Sequence, residues 1–336
     1  MREKENVLDK VKENILKLGL IENDDNVIVG VSGGPDSVFL LYSLHMLKGI
    51  LGEKYNIKYN LIVCHINHMI REEADDDEKF VEEYAEKLGY KFFCLREDVK
   101  KTAKNLKISE EECGRNIRYE FFEKIRREKL GTKVVVAHNA NDNAETILFN
   151  LLRGTGITGL CGIKNVNGLV IRPLLNIRKE DIVKYLKDNS IEYKEDKTNR
   201  ECIYTRNKIR NSLIKNLEEY NPNIIDTLNR MSETISIDDS FIEKNVDNVY
   251  NSAIKKGKNG NIIDIVELNK QDVAIKNRII RRALFDILGD IKGISRIHID
   301  DIVFLLELHI RGKKFCIGNK FEIIVKNSKE ALIIRQ

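Results

Sequence analysis

The sequence contains no Cys-x-x-Cys pair, no long hydrophobic run and no strong excess of charge of either sign. Its six cysteines are scattered over 336 residues, which argues against a disulfide framework and against a zinc or iron–sulfur site. The longest apolar stretches, such as 134–137 and 299–306, fall far short of the run of about 20 residues that crosses a bilayer. Because the N-terminus also lacks a secretory signal pattern, we expect a cytoplasmic protein with no membrane contact.

The net charge of +4, from 57 basic and 53 acidic residues, is too small to indicate a nucleic-acid partner by itself. Any contact with RNA must therefore come from a local cluster of basic residues. Hydrophobic residues make up 42% and charged residues 33%, which is typical of a folded soluble protein. The length predicts two domains, each with its own core.

Short β-branched runs alternate with amphipathic stretches in the first part of the chain. The predicted strands are 26–31, 60–65, 91–95, 133–137 and 169–172, and the predicted helices are 37–47, 74–88, 110–130, 142–152 and 179–189. This alternation predicts an open parallel sheet with helices on both faces, which binds ligands at the carboxyl ends of its strands. We expect this α/β domain over 1–220, followed by a smaller, mainly helical α+β domain over 221–336. In that second domain the pattern predicts a long helical stretch through residue 256, a turn at 257–261, helices at 270–288 and 295–309, and short strands within 313–335.

The loop Ser32-Gly33-Gly34-Pro35-Asp36-Ser37 lies between a predicted strand and an apolar helix. Glycines let backbone N–H groups approach phosphate oxygens, serines add hydroxyl donors, and the following helix directs its positive end at the anion. A carboxylate beside a triphosphate is repelled unless a cation such as Mg²⁺ bridges them, so Asp36 indicates a metal-bound nucleotide. The alternative is a tight strand-to-helix turn with a serine cap, and the combination of strand, serines, aspartate and helix argues against it.

Two other nucleotide-binding patterns are not supported. The sequence has no Gly-x4-Gly-Lys-Ser/Thr motif of Walker-type NTPases. Residues 154–159 read Gly-Thr-Gly-Ile-Thr-Gly and match the dinucleotide-binding fingerprint, but they follow the predicted helix 142–152 instead of a strand. No helix N-terminus is then placed over a sheet edge to receive pyrophosphate, and we predict a flexible loop near the active site.

The loop at 32–37 resembles the PP-loop of the N-type ATP pyrophosphatases, which adenylate a carbonyl oxygen, release pyrophosphate and let a nucleophile displace AMP. Further stretches match in order and spacing, namely His65-Ile66-Asn67-His68, Arg115-Asn116-Ile117-Arg118-Tyr119, Ala137-His138, Asp142-Asn143-Ala144-Glu145-Thr146, Arg153-Gly154-Thr155-Gly156, Arg172-Pro173-Leu174-Leu175, Glu195-Asp196 and Arg206-Asn207-Lys208-Ile209-Arg210. Together they are similar to the tRNA(Ile)-lysidine synthases over about the first 220 residues. The chain departs from the frequent His-His-Ala-Asp-Asp-Gln at 138–143, and Lys215 stands where proline is frequent.

The resemblance implies an ATP-dependent ligase that joins free L-lysine to the wobble cytidine of the CAU anticodon of tRNA(Ile). An adenylated cytidine would be the intermediate, AMP and pyrophosphate would be released, and ATP and Mg²⁺ would be the cofactors. The oligomeric state stays open, with a homodimer among the alternatives. Many members continue into an additional C-terminal domain that helps grip the tRNA, so 336 residues predict a short or truncated form.

The expected site residues fall into three groups. ATP would be held by Ser32, Gly33, Gly34, Pro35, Asp36, Ser37, His65 and Arg115, with Asp36 as the Mg²⁺ ligand. The resemblance implies catalysis and lysine binding for His138, Asp142 and Glu145, and the two acids lie one helical turn apart on the predicted helix. The tRNA would be held by Arg118, Arg200, Arg206, Lys208 and Arg210. Each group has an ordinary alternative. Any helix start favours acids such as Asp142 and Glu145, Arg115 and Arg118 could form surface salt bridges, and the basic residues of 197–215 could be a solvated face.

Three other functions compete with lysidine synthesis. A tRNA thiolase of the PP-loop family commonly carries a Cys-x-x-Cys motif or a catalytic cysteine pair, which this chain lacks. An amidotransferase or NAD-type synthetase would not need the basic segment at 197–215. An RNA-binding module with a vestigial nucleotide site would bind tRNA without exchanging ATP for pyrophosphate.

Overall fold

The computed structural model describes residues 6–69, 74–194, 205–257, 260–318 and 320–335. The chain divides into two compact units, 1–233 and 234–336, a division later in the chain than the boundary at residue 220 expected from the sequence. Among the described residues, no helix is long and apolar enough to cross a membrane. The candidate site lies within the first unit.

Helices and strands alternate in the first unit. Its strands are β1 (Asp25–Gly30), β2 (Tyr59–Asn67), β3 (Lys91–Arg96), β4 (Lys133–Val135), β5 (Val166–Asn167) and β6 (Val170–Ile171). Its helices are α1 (Val7–Lys17), α2 (Pro35–Tyr55), α3 (Ala74–Lys87), α4 (Val99–Leu106), α5 (Glu110–Glu128), α6 (Ala140–Leu152), α7 (Ile157–Leu160), α8 (Lys179–Asp188), α9 (Thr205–Lys208) and α10 (Ile214–Tyr220). A π-helical turn, Ile209–Leu213, connects α9 to α10.

The described strands of this unit form one sheet in the order β3-β2-β1-β4-β6-β5. All neighbours pair in parallel except β5, which pairs antiparallel with β6 at the edge. The predicted parallel sheet is therefore confirmed, with an antiparallel edge strand that the sequence pattern missed. β5 contains only two residues, too few to show alternation.

Side chains of β1 alternate between the two faces of the sheet, as strand geometry requires. Val27 and Val29 pack with α1, α2, α3 and α8 on one face. Ile28 faces the other side and packs against Phe121 and Phe122 of α5. Helices cover both faces, so the sheet is buried and the carboxyl ends of its strands are the exposed part that a ligand can reach.

The predicted helices and strands of this unit are found with shifted ends. The Gly154–Gly159 stretch follows α6, as expected, but its last three residues belong to α7, so the predicted loop is wrong for that part. Helices α1 and α4 were missed. Both are short and bury only two residues each, although both are amphipathic, and side-chain caps from Asn6 and Asp98 fix their starts.

The second unit packs helices on an antiparallel sheet. It contains most of α11 (Ile224–Ala253), then β7 (Ile254–Gly257), β8 (Gly260–Asp264), α12 (Ile265–Asn269), α13 (Val273–Leu288), α14 (Arg296–Glu307), β9 (Lys314–Ile317), β10 (Phe321–Val325) and β11 (Glu330–Arg335). The described strands run in the order β7-β8-β11-β10-β9. The α+β prediction holds, but β7 and β8 were read as the end of a helix and a turn. A β-carbon at Gly260 would lie 2.0 Å from the carbonyl oxygen of Ile333, so only glycine lets this hairpin pair with β11.

Candidate active site

The phosphate loop (residues 32–37) joins β1 to α2 at the carboxyl edge of the sheet. The amide of Ser32 donates to Oγ of Ser37 at 3.1 Å, and that hydroxyl donates to the carbonyl of Gly34 at 3.0 Å. Gly33 has a φ of +88°, which favours glycine. Gly34 is the N-cap of α2 and has no side chain that could accept hydrogen bonds from the first-turn amides. These amides are therefore available to an anion bound above the loop.

Asp36 carries a shielded oxygen without a partner. Its Oδ1 has no hydrogen-bond partner, and Nζ of Lys179 lies 3.9 Å from its Oδ2. Burial raises the pKa of Asp36 to about 6, although the charge of Lys179 opposes this increase. An orphaned carboxylate oxygen beside a phosphate loop fits a hard cation such as Mg²⁺. No group of three or more metal-ligating side chains occurs among the described residues, so nucleotide oxygens and water would complete the ligand shell.

His65 lies beneath the phosphate loop at the end of β2. It is 3% exposed, and its Nδ1 lies 2.8 Å from the carbonyl oxygen of Val31. A carbonyl only accepts, so Nδ1 of His65 donates this bond. Burial lowers the pKa of His65, which keeps the ring neutral. The contact ties β2 to the residue before the loop, and direct contact of His65 with ATP stays a prediction.

The two acids of α6 lie together at its start. Asp142 forms a capping box: the amide of Asn139 donates to its Oδ2 at 3.0 Å, and the amide of Asp142 donates to Oδ1 of Asn139 at 3.1 Å. This bond is the ordinary role of a helix-start acid, and it leaves Oδ1 of Asp142 for other contacts. Glu145, one turn later, is 5% exposed.

Arg210 of the π-helical turn binds both acids. Its Nε donates to Oε1 of Glu145 at 2.5 Å, and its Nη2 donates to Oε2 of Glu145 at 3.0 Å and to Oδ1 of Asp142 at 3.2 Å. Burial raises the pKa of Glu145, and the hydrogen bonds from Arg210 oppose this increase. Arg210 was predicted to contact tRNA as part of a basic segment. The structure places its guanidinium group against the two carboxylates of the site.

The other residues predicted to bind tRNA are spread over several elements. Arg206 of α9 pairs with Glu111 and lies 5.6 Å over the ring of Phe149, while Lys208 is exposed. Arg118 is exposed on α5. Arg200 lies outside the described residues.

His138 lies at the end of β4 among cationic groups. Nε of Arg172 donates to its Nδ1 at 3.1 Å. Burial lowers the pKa of His138 to about 4, and the nearby charge of Asp142 opposes this decrease. Three guanidinium groups add to the decrease, those of Arg172, Arg118 and Arg115. No carboxylate of the described residues forms an ion pair with these three arginines.

Sequence reasoning missed the roles of Arg172 and Lys179. Arg172 was part of a motif that resembled the family but had no assigned role, and Lys179 appeared only as the start of a predicted helix. Nothing in their spacing indicates that they face His138 and Asp36, since those contacts join residues 34 positions and more than 100 positions apart in sequence.

The site therefore has two halves of opposite charge. The acidic half contains Asp36, Asp142 and Glu145, partly balanced by Lys179 and Arg210. The cationic half contains Arg115, Arg118 and Arg172 around His138. An acidic half suits a metal ion and an amine, and a cationic half suits a phosphate group.

Comparisons with known proteins agree with this arrangement. Residues 4–217 match the family described as the PP-loop domain. A tRNA(Ile)-lysidine synthase from Caldanaerobacter subterraneus subsp. tengcongensis is 40% identical over 332 residues, which cover 98% of this chain and 69% of that protein. The enzyme of the same name from Clostridium acetobutylicum is 41% identical over 302 residues, or 88% of this chain and 64% of that protein. The chain thus spans about two thirds of the length of these relatives.

A tRNA thiolase from Methanococcus maripaludis, solved with its [4Fe-4S] cluster, has a similar fold. Its TM-score is 0.55 at 21% sequence identity, over 69% of this chain and 80% of that one, and this likeness concerns the fold alone. The domain match and the two synthases carry more weight, because the first spans residues 4–217 and the synthases combine high coverage with about 40% identity. The chain belongs to the tRNA(Ile)-lysidine synthase family of ATP-dependent PP-loop enzymes.

Proposed function

We propose that this chain joins free L-lysine to the wobble cytidine of the CAU anticodon of tRNA(Ile), using ATP and Mg²⁺ in the cytoplasm. The observation that supports this reaction is the gathering of Asp36, Asp142 and Glu145 at the phosphate loop, together with arginines near His138 that have no acidic partner among the described residues. A ligase for a cationic amino acid and a nucleotide phosphate needs both kinds of surface in one cleft.

The phosphate loop and Asp36 would hold the nucleotide. The first-turn amides of α2 and the hydroxyl of Ser32 are placed to bind the phosphates that leave as pyrophosphate. A Mg²⁺ ion on Oδ1 of Asp36 would neutralise charge on those phosphates. Lys179, 3.9 Å from the other oxygen of Asp36, adds a second positive charge at the same place.

The cationic half would stabilise the α-phosphate during adenylation. The cytosine oxygen attacks the α-phosphorus, a P–O bond to the cytidine forms, and the P–O bond to pyrophosphate breaks. Negative charge on the phosphoryl oxygens is then met by guanidinium groups that no described carboxylate neutralises, those of Arg115 and Arg118. Arg115 lies over the ring of Tyr119, which is also on α5. The hydroxyl of Tyr119 accepts a hydrogen bond from Arg172.

The acidic half would hold and deprotonate lysine. The side-chain amine of lysine has an ordinary pKa of about 10.4, so it is protonated and unreactive at neutral pH. Asp142 and Glu145 carry two negative charges against the single charge of Arg210, which leaves a net attraction for an ammonium group. A carboxylate first accepts one proton from the ammonium group. The free amine then attacks the carbon that bears the adenylated oxygen, and AMP leaves with that oxygen as its anion.

We expect the purified protein to transfer labelled lysine to a tRNA(Ile) transcript with a CAU anticodon, with AMP and pyrophosphate formed in equal amounts. The control transcript carries uridine in place of the wobble cytidine and should take no label. Label in both transcripts would contradict the substrate assignment. Binding of the tRNA without any release of pyrophosphate would favour the alternative of an RNA-binding module.

Asp36→Ala should abolish the formation of AMP and pyrophosphate while leaving the melting temperature at or above that of the parent. The carboxylate supports no core, and its pKa of about 6 shows that burial disfavours its charged form, so its removal costs no stability at neutral pH. Asp188→Ala, which removes an exposed acid at the end of α8, is the control and should keep full activity. Normal pyrophosphate release by the Asp36 variant would remove the loop from the proposed mechanism.

Glu145→Gln and Asp142→Asn should each lower kcat/KM for lysine by about 10- to 100-fold, since a hydrogen bond to a charged group contributes about 1.5–3 kcal/mol. Binding of ATP should stay near normal. Glu123→Gln is the matched control, because Glu123 is also paired with arginine, here Arg126 and Arg127, but lies on α5 outside the site. If both site variants used lysine as the parent does, these carboxylates would have no role in lysine binding and would act only as acids at the start of a helix.

The basic residues Arg118, Arg200, Arg206, Lys208 and Arg210 are proposed to hold tRNA. Arg206→Gln and Lys208→Gln should each reduce the slope of log affinity against log salt concentration by about 0.7–0.9, the change expected for one lost phosphate contact. Arg127→Gln, an exposed arginine on α5, is the control. Equal slopes for all three variants and the parent would identify a solvated face. Arg210 needs its own measurement, because its replacement also leaves Glu145 without a partner.

A further inference from the structure

Arg172 is a buried cation whose partners among the described residues are all neutral. It is 4% exposed and follows β6. Its Nε donates to Nδ1 of His138 at 3.1 Å, its Nη1 to the carbonyl of Lys164 at 2.8 Å, and its Nη2 to the hydroxyl of Tyr119 at 3.5 Å. A guanidinium group buried without an acidic partner is costly, so the arrangement calls for a role other than stability.

The contact between Arg172 and His138 defines the tautomer of the imidazole. A guanidinium group only donates hydrogen bonds, and it does not lose its proton in proteins. Nδ1 of His138 must therefore offer a lone pair. In a neutral ring the single proton then lies on Nε2.

We propose that Arg172 is a positioning residue that fixes His138 as a neutral imidazole with its proton on Nε2, so that His138 donates a hydrogen bond into the active site. This inference rests on the proposed function in one respect: the acceptor of the hydrogen bond from His138 is an anionic oxygen of the phosphoryl group. The role of base then belongs to the carboxylates of α6.

The surroundings of His138 agree with a ring that stays neutral. The charges of Arg115 and Arg118 of α5 act on its ring, as does that of Arg172, which is hydrogen-bonded to it, so a charged imidazolium would be disfavoured by three positive groups. Asp142 of α6 is the acidic group that acts on it, and burial outweighs that effect. The pKa of His138 is accordingly lowered to about 4.

His65 shows that the tautomer is set by the partner and not by position in the fold. Both histidines lie at the carboxyl end of a parallel strand. His65 donates from Nδ1 to the carbonyl of Val31, which leaves its Nε2 as the acceptor. His138 accepts at Nδ1 because Arg172 lies there in place of a carbonyl.

The tautomer is measured by nitrogen NMR on protein labelled with ¹⁵N-histidine, with His138→Gln to identify the signal. We expect an unprotonated Nδ1 and a protonated Nε2 in the parent, with no titration near neutral pH. In Arg172→Met the pKa of His138 should rise from about 4 toward the ordinary value of about 6.5, and the preference for Nε2 should weaken. Arg172→Lys, which keeps the charge and one donor, should restore part of both effects.

Arg178→Lys is the matched control, because Arg178 is another partly buried arginine of the first unit, bonded to Asp226. It should leave the His138 signals unchanged. A parent spectrum with a protonated Nδ1 overturns the proposal even if Arg172→Met does not fold, and so does an Arg172→Met spectrum identical to the parent. The measurement needs neither ATP nor tRNA, so it is independent of whether lysine is transferred to RNA.

Discussion

The ion pair between Arg210 and Glu145 is the contact on which the site depends. Glu145 is almost fully buried, and a carboxylate in that position is unfavourable unless it is paired and hydrogen-bonded. Arg210 supplies two bonds to it and a third to Asp142, from a segment 65 residues later in the chain. Beneath this contact, Ile209 and Ile214 pack with Ala144 of α6, so apolar packing and the ion pair hold the same two segments together.

Under the proposed function, the opposite charges of the two halves would let one site bind two unlike reactants. A phosphate group and an ammonium group would each be repelled by the half that suits the other. Separation of the charges would therefore orient both reactants before any chemistry begins. The parallel sheet makes this possible, because β1 and β4 are neighbours and their carboxyl ends deliver the phosphate loop and His138 to the same edge.

The sequence predicted the parts of the site that depend on local chemistry. The glycines and aspartate of the phosphate loop, and the two acids one turn apart on α6, are readable because each set lies within a few consecutive residues. The contacts of Arg172 and Lys179 were not readable, since they depend on which strands become neighbours and on the direction of long side chains. The tautomer of His138 was even less predictable from the sequence, because it depends on a single contact between residues that are distant in the chain.

In the second unit, too, elements set by local sequence were predicted and those set by long-range pairing were not. Its helices α13 and α14 are long and periodic, and they were predicted with small shifts at their ends. The hairpin of β7 and β8 was missed because its first strand continues directly from α11 without a break in composition. Long-range pairing with β11, and not local preference, selects the extended conformation there.

The π-helical turn at Ile209–Leu213 has a consequence for the length of the chain at this point. Such a turn accommodates one more residue than a regular helix, and it directs Arg210 toward α6. Deletion of a single residue would allow an unbroken α-helix from α9 to α10, and this backbone conformation is more favourable than a π-helical turn. Each residue of an α-helix rotates its side chain by about 100°, so that smoother helix would point position 210 away from Glu145. Substitutions that keep the turn are therefore less harmful here than a change of one residue in spacing.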